Sequence, residues 1–367
     1  MILVVDKMPD GIKIWRFKND GSSSVFYLED EYSTAENLKK AVYKAVGRAK
    51  IECISFRVFF GGEIFDGPVL IGPDFFISME KLKGSFPMHL PAVMSMIQLF
   101  YEAFRENTLI AFFENSFFKT LPDEEKYYAL AAEYCENNGI RKWGFHGIFH
   151  EANAGFAALG GKTISIVFDK QTTVAAVRGM EPLSISLGYT PLEGVMSRTS
   201  SGDLDPGIVL YLMTFPEYSL NRIDDILKNE SGFLGLTGYD IGMDEMIKLL
   251  GKDKKVDLAF DIYISQIMKY IGEGLSVLGG LDNIIFAGIN AVKLTPVIHR
   301  ILKDMTFLGV NMVSLPWEGE EGILRVSSSE SKINVYINKK EIAEIIFVNS
   351  KLFLRSKAAY IPEEKMS

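Results

Sequence analysis

The chain has 367 residues, and its 39 Lys and Arg against 47 Asp and Glu give a formal net charge of −8 with the four histidines neutral. With 48% apolar residues, 12% of the chain being aromatic, it has the material for a buried core on a two-domain scale, which excludes extensive disorder. The deficit of basic charge leaves no broad footprint for a polyanion, so no nucleic-acid partner is expected. Cys53 and Cys135 stand far apart with no CxxC pair, which points to two reduced thiols and to neither a disulfide framework nor a zinc site. The start, MILVVDKMPDG, carries Asp6 and Lys7 too early for a signal peptide, and no apolar run reaches the roughly 18 residues of a membrane span. A cytoplasmic chain with no membrane partner is the expectation.

In chain order, Ile2 to Val5 is a continuous apolar run ending at Asp6, then Pro9, Asp10 and Gly11 make a turn, and Ile12 to Phe17 alternates as a half-buried strand. Asn19 to Ser24 is a second turn and Val25 to Leu28 a third strand. Thr34 to Val46 reads as a helix with Leu38, Ala41, Val42 and Ala45 on one face and Gly47 as its stop. Ile51 to Phe60 returns to strand and closes on Gly61 and Gly62. From Asp123 the spacing predicts the clearest helix, with Tyr127, Leu130, Ala131 and Tyr134 at i, i+3, i+4 and i+7, acidic residues in its first turn and Gly139 at its end.

The same grammar then repeats. Thr163 to Phe168 and Thr172 to Val177 read as two strands, Val256 to Leu278 as a long helix, Asn283 to Phe286 as a strand running into Ala287 and Gly288, and Ile333 to Ile337 as a last strand before a helix from about Lys340. Two halves that each open with a hairpin and finish with helices indicate an α/β chain with an internal structural duplication.

Six segments are too specific for generic α/β sequence: Arg57 to Glu63 (RVFFGGE), Phe113 to Pro122 (FENSFFKTLP), Gly139 to Gly147 (GIRKWGFHG), Leu187 to Gly194 (LGYTPLEG), Ser201 to Val209 (SGDLDPGIV) and Ser231 to Gly238 (SGFLGLTG). In this order they resemble the acetate kinase (acetokinase) family over nearly the whole chain. The resemblance implies the duplicated two-domain actin, Hsp70 and sugar kinase fold (ribonuclease H-like), here with residues 1–118 plus about 342–367 as the N-terminal domain and 119–341 as the C-terminal one. It also implies a homodimer, ATP and Mg²⁺ as cofactors if the enzyme is active, and phosphoryl transfer to a small carboxylate.

Such chemistry needs a nest of backbone N–H groups around the phosphates, carboxylates on Mg²⁺, and cationic or imidazole donors on the moving group. Where the family has Asn-Ala-Gly-Ser-Ser-Ser and then a Lys, this chain reads Asp6 to Gly11 (DKMPDG), Ile12 and Lys13, with Pro9 lacking an N–H and Asp10 adding a negative charge. A rival register places Gly21 to Ser24 (GSSS) in that loop, with Lys18 before it. In the second half the family's His-x-Gly-x-Gly-x-Ser is Val167 to Thr173 (VFDKQTT), with Asp169 where an anion would sit. The family's Gly-Thr-Arg is Arg198, Thr199 and Ser200, its Asp-Phe-Arg is replaced at Tyr239 to Met243, its adenine-side loop is Gly288 to Val292, and its Mg²⁺-supporting Asn-Glu-Glu is Lys339, Lys340 and Glu341.

Other parts survive. By the resemblance, Arg57 is the substrate-side arginine, His89 the histidine ahead of Pro91, His146 the histidine that steadies the transferred group, His150 its neighbour in the same motif, and Glu114 stands at the catalytic Asp position. Arg57, Glu114 and His146 are thus the catalytic candidates and Arg57 and His89 the substrate-binding ones. Asp6, Lys13 and Lys170 are left on the cofactor side. His146 and His150 read equally as structural residues, and their spacing of four lacks a third metal ligand. Glu114 is the candidate for a divalent ion, but an ammonium at Lys340 argues against a metal, and a Glu114–Lys340 pair is expected in its place. Phe59, Phe60, Phe86, Phe117 and Phe118 make the acyl side apolar.

Losing one electrostatic donor costs about 3 to 4 kcal/mol of transition-state stabilisation, and here the losses fall on both phosphate loops, the adenine side and the metal carboxylate together. The leading expectation is a pseudokinase with a binding, regulatory or dimerising role. The alternatives are a divergent ATP-dependent carboxylate kinase (acetate, propionate or butyrate) using Arg57, Glu114 and His146 with Arg198, Lys13 or Lys170 as a further donor, and a carboxylate-sensing module.

Overall fold

The computed structural model describes residues 1–359 apart from 19, 30–31, 33, 48, 83–89, 158–160 and 315–321. His89 and Phe86 lie outside the described residues. The chain divides into two compact units, Met1–Lys119 with Glu341–Ser367, and Thr120–Lys340.

In the first unit a six-stranded sheet is built from β1 (Ile2–Met8), β2 (Gly11–Phe17), β3 (Ser23–Glu29), β4 (Cys53–Val58), β5 (Val69–Leu70) and β6 (Thr108–Phe113), in the spatial order β3-β2-β1-β4-β6-β5. The apolar run Ile2–Val5 of β1 is continuous because the strand is interior to the sheet and buried there on both faces, and β4 is buried along its whole length with Ser55 and Arg57 within it. β1 and β2 are antiparallel with Met8 opposite Gly11, so Pro9 and Asp10 alone form the loop, and Pro9 presets its backbone. Gly11 is required there: a Cβ on it would lie 2.4 Å from the Leu28 carbonyl oxygen. Gly21 and Ser22 lie in the β2–β3 turn, with Asp20 Oδ1 accepting from the Ser22 main chain and hydroxyl. The turn after the first strand is the one at Pro9 and Asp10, and the Gly21 to Ser24 segment runs from the β2–β3 turn into β3. Helix α1 (Ala35–Val46), capped by the Thr34 hydroxyl, buries Leu38, Val42 and Val46. α2 (Pro73–Glu80) and α3 (Leu90–Ala103) precede β6.

The second unit opens with α4 (Asp123–Lys126), α5 (Ala132–Asn138) and α6 (Gly147–Ala157), followed by the antiparallel strands β7 (Lys162–Phe168), β8 (Thr172–Arg178) and β9 (Glu181–Ile185). After α7 (Pro206–Leu212), α8 (Leu220–Asn229), α9 (Gly232–Thr237) and α10 (Met243–Met246) comes the long α11 (Lys254–Leu278), then β10 (Asn283–Ala287), α12 (Thr295–Asp304), β11 (Ile323–Arg325) and β12 (Asn334–Asn338). α11 starts where the Asp253 carboxylate accepts from two main-chain N–H groups and ends at Gly279 in the left-handed region; its apolar stripe is buried. The sheet order β11-β12-β10-β7-β8-β9 is that of the first unit read from the other edge, with the parallel trio β7, β10 and β12 matching β1, β4 and β6. The expected duplication is present at the level of topology. A final helix, α13 (Ile342–Ala359), returns the chain to the first unit.

One expected element is broken. The helix predicted from Asp123 to Gly139 is interrupted at Tyr127, which takes an extended backbone. Tertiary bonds outweigh the local pattern here: the Lys126 carbonyl accepts from Lys142 N, and the Tyr128 hydroxyl donates to Glu193 while accepting from Tyr189 N. No described helix is long and apolar enough to cross a membrane.

Candidate functional site

In the first unit Asp6, Arg57 and Glu114 stand at the carboxyl ends of three neighbouring parallel strands, where open α/β sheets present their chemistry. Val5 pairs with Phe56, which sets Asp6 beside Arg57, and Arg57 pairs with Phe112, two residues before Glu114 on the same face. The turn after β4 fixes this approach: Asn115 Oδ1 accepts from Gly61 N at 2.8 Å and its amide donates to the Gly62 carbonyl at 3.2 Å. A Cβ on Gly61 would lie 2.6 Å from the Phe113 ring, which is why that turn is built on glycine.

Arg57 donates through Nε to Glu114 and through Nη1 to Asp6 Oδ2 at 3.2 Å, and its guanidinium lies 5.0 Å from the centroid of the Phe59 ring. Arg57, Asp6 and Glu114 are 7%, 5% and 0% exposed, so two carboxylates and one guanidinium share a desolvated site. Within the first unit the cation against Glu114 is Arg57, one strand away. Phe60 and Phe118 are buried nearby in sequence, and Phe113 stacks on Phe65. Lys13 pairs in register with Asp6, but its ammonium lies 4.2 Å from the Trp15 ring centroid and 5.6 Å from that of Tyr27, a cation–π position.

In the second unit His146 precedes α6 with φ 59°, a left-handed conformation unusual for a residue with a side chain. Its Nδ1 lies 3.0 Å from Thr173 Oγ1 and its Nε2 3.8 Å from Asp169 Oδ2. His150, one turn on, is fully buried and bonded at both ring nitrogens, to Ser165 Oγ and Thr173 Oγ1, each at 2.8 Å. Burial, and then the neighbouring His146, hold its pKa well below the usual histidine range, so it is a neutral structural group.

The β7–β8 loop is Asp169, Lys170 and Gln171. Asp169 Oδ1 accepts from Lys170 N at 2.9 Å, and the Lys170 side chain is exposed. β10 closes against this loop through Gly288, where a Cβ would lie 2.4 Å from the Phe168 carbonyl oxygen. Arg198, the sequence candidate to replace a missing arginine, is ion-paired with Asp240. Among the described residues no group of three or more His, Cys, Asp and Glu side chains is arranged to hold a metal ion. Sequence reasoning passed over Asp169 as a partner of His146, and passed over Ser165, Asn153 and Asn338; the polar Ser165 inside an otherwise apolar strand was the available signal.

Residues 17–346 match the family model described as Acetokinase family. The chain is 33% identical over 305 residues to an acetate kinase of Shouchella clausii, covering 80% of this chain and 77% of that protein. It is 30% identical over 316 residues to an acetate kinase of Clostridium novyi, covering 84% and 76%. Among solved structures, the acetate kinase of Porphyromonas gingivalis superposes with a TM-score of 0.85 at 23% identity over 96% of this chain and 99% of that one. The acetate kinase of Entamoeba histolytica gives 0.86 at 21% identity over 96% and 98%, and these likenesses establish the same two-domain fold. The chain belongs to the acetokinase family.

Proposed function

We propose that this acetokinase-family chain no longer transfers phosphate from ATP to a carboxylate and acts as a pseudokinase with a binding, regulatory or dimerising role in the cytoplasm. The observation that carries the reading is that three candidate donors among the described residues are answered by carboxylates of their own chain: Arg57 by Glu114 and Asp6, His146 by Asp169, Arg198 by Asp240. An incoming phosphate would meet those carboxylates, and two like charges 4 Å apart at an effective dielectric near 20 repel by about 4 kcal/mol. At the first turn Pro9 has no N–H to offer, and the β7–β8 loop has lost its glycines. These residues do not fit a nucleotide's phosphates.

The test is calorimetric titration of the purified chain with MgATP and MgADP, with an acyl-phosphate assay on acetate, propionate and butyrate. Silence at millimolar nucleotide and no acyl phosphate are expected; micromolar binding or turnover refutes the proposal. The second reading, a divergent carboxylate kinase, is favoured by the retention of Arg57 and His146 and by the acetate kinases at 30% and 33% identity. Acetate binding without MgATP binding would mark the third, a carboxylate sensor in which Arg57 exchanges its internal partners for the ligand.

The dimerising role has its own support. α7 buries none of its residues, residues 206–216 carry no charge, and Leu210, Tyr211 and Leu220 are 66%, 63% and 66% exposed. For a chain of charge −8, an uncharged patch is where a second copy meets the least repulsion. A homodimer through this segment is the reading adopted here.

A further inference from the structure

A directed run of hydrogen bonds leads from the main chain after β12 to His146. Lys340 N–H donates to Asn338 Oδ1 at 3.1 Å, which fixes that amide so that its Nδ2 donates to Asn153 Oδ1 at 2.9 Å. The Asn153 amide, fixed in turn, donates to Ser165 Oγ at 2.9 Å. Ser165 Oγ then lies 2.8 Å from His150 Nδ1, His150 Nε2 lies 2.8 Å from Thr173 Oγ1, and Thr173 Oγ1 lies 3.0 Å from His146 Nδ1. Asn153, Ser165, His150 and Thr173 are fully buried, so each of their polar hydrogens needs a partner.

Only one direction satisfies every member. Ser165 accepts from Asn153, so its single hydroxyl hydrogen goes to His150 Nδ1. Neutral His150 then carries its proton on Nε2 and gives it to Thr173 Oγ1, whose own hydrogen goes to His146 Nδ1. Reversing the run would make Ser165 accept from both Asn153 and His150, and its hydrogen would have no further partner among the described residues. It would also turn the lone pair of His146 Nε2 toward the Asp169 carboxylate, 3.8 Å away. Protonating His146 at Nδ1 would leave the Thr173 hydrogen stranded in the same way. Burial supports the scheme from outside it, since it keeps His150 neutral and therefore able to accept at one nitrogen and donate at the other.

We infer that this relay fixes His146 as a neutral imidazole with its proton on Nε2, on the Asp169 side, and that Thr173, His150 and Ser165 are the positioning residues that impose this tautomer. A neutral N–H donor held in one orientation suits an oxyanion, whether a carboxylate of the chain such as Asp169 or a phosphoryl or carboxylate oxygen of a ligand. The inference holds under either reading of the function, because it concerns which nitrogen of His146 bears the proton and not whether turnover occurs.

Long-range ¹H–¹⁵N correlation of the histidine rings in the full-length protein at pH 7 tests it. Four histidines, assigned through single His→Gln variants, keep the spectrum tractable. His146 and His150 should both show a protonated Nε2 and an unprotonated Nδ1. Thr173→Val, which removes the hydroxyl and keeps the shape, should abolish the single tautomer at His146, and Thr173→Ser should restore it. Ser165→Ala should release His150 in the same way. A wild-type His146 carrying its proton on Nδ1 overturns the inference without any variant, as does a folded Thr173→Val protein whose His146 signals are those of the wild type. A kinase assay of either outcome leaves these signals unchanged, so this test and that of the proposed function fail separately.

Discussion

Replacing Arg57 by Met probes the site in the first unit most directly. The guanidinium is the partner of two carboxylates, Glu114 fully buried and Asp6 nearly so, and Met keeps the volume of the side chain while removing its charge. Removing one member of a buried ion pair costs about 3–5 kcal/mol, because it strands the charge left behind. Here two carboxylates are stranded, so the upper part of that range is expected, a fall in melting temperature of about 8 to 20 °C for the affected unit. Glu114→Gln should cost less, about 1–2 kcal/mol, since it leaves Arg57 with Asp6 as a matched pair. Combining Arg57→Met with Glu114→Gln should cost clearly less than the sum of the two, because residues in one network couple by about 0.5–3 kcal/mol. Urea unfolding followed through Trp15, with Trp143 and Trp317 changed to Phe, reads the first unit. A loss below about 1 kcal/mol for Arg57→Met is what an exposed pair gives, and it would refute the buried triad.

Further expectations concern the second unit, the thiols and assembly. His150 is held neutral in the folded chain and takes up a proton when unfolded, so stability should fall as pH drops below about 6.5, by at most about 1.4 kcal/mol per pH unit. His150→Gln should flatten that acid limb in urea titrations from pH 7.5 to 5.5, and an unchanged slope counts against the assignment. Asp169→Gly removes the carboxylate facing His146 and should tighten inorganic phosphate binding by about tenfold or more, about 1.4 kcal/mol, as read by calorimetry; equal affinity would mean that Asp169 does not guard the imidazole. Burial pushes the Cys53 thiol from 9.0 up to about 11, so its contribution to stability is lost as pH rises across that interval, and a disulfide reagent at pH 8 should label it only at the rate of unfolding. Leu210→Glu should convert a dimer to a monomer in sedimentation velocity, whereas a wild-type chain that is monomeric at micromolar concentration removes the dimer.

How far the sequence discloses this molecule depends on the range of the forces involved. β1 and β10 are legible through the apolar runs Ile2–Val5 and Ile284–Ala287, which are buried on both faces, and α11 because its stripe, its cap at Asp253 and its stop at Gly279 agree. The helix expected from Asp123 is misread because Tyr127, Leu130 and Tyr134 are exposed, so their spacing reflects no buried face, while Tyr128 is drawn away to Glu193 by a contact no local pattern contains. Arg57 and Glu114 stand out through their motifs, yet their union with Asp6 follows from the register of parallel strands joined by long crossovers.

The same arrangement accounts for how a kinase fold could lose its ligands and remain stable. In an enzyme that binds anions, an arginine or imidazole at the strand ends is left short of counter-charge whenever the ligand departs, and a desolvated cation without a partner is costly. By the resemblance, Asp6 stands where the family has Asn and Asp169 where it has Gly, and each lies beside a candidate donor. Under the proposed function, these two carboxylates supply from within the chain the negative charge that a ligand would supply from outside, and the donors stay for the stability they give. On this argument Asp6→Asn and Asp169→Gly should lower the stability of the free chain while raising its affinity for anions. The opposite sign on either measurement would mean that Arg57 and His146 are kept for a ligand after all.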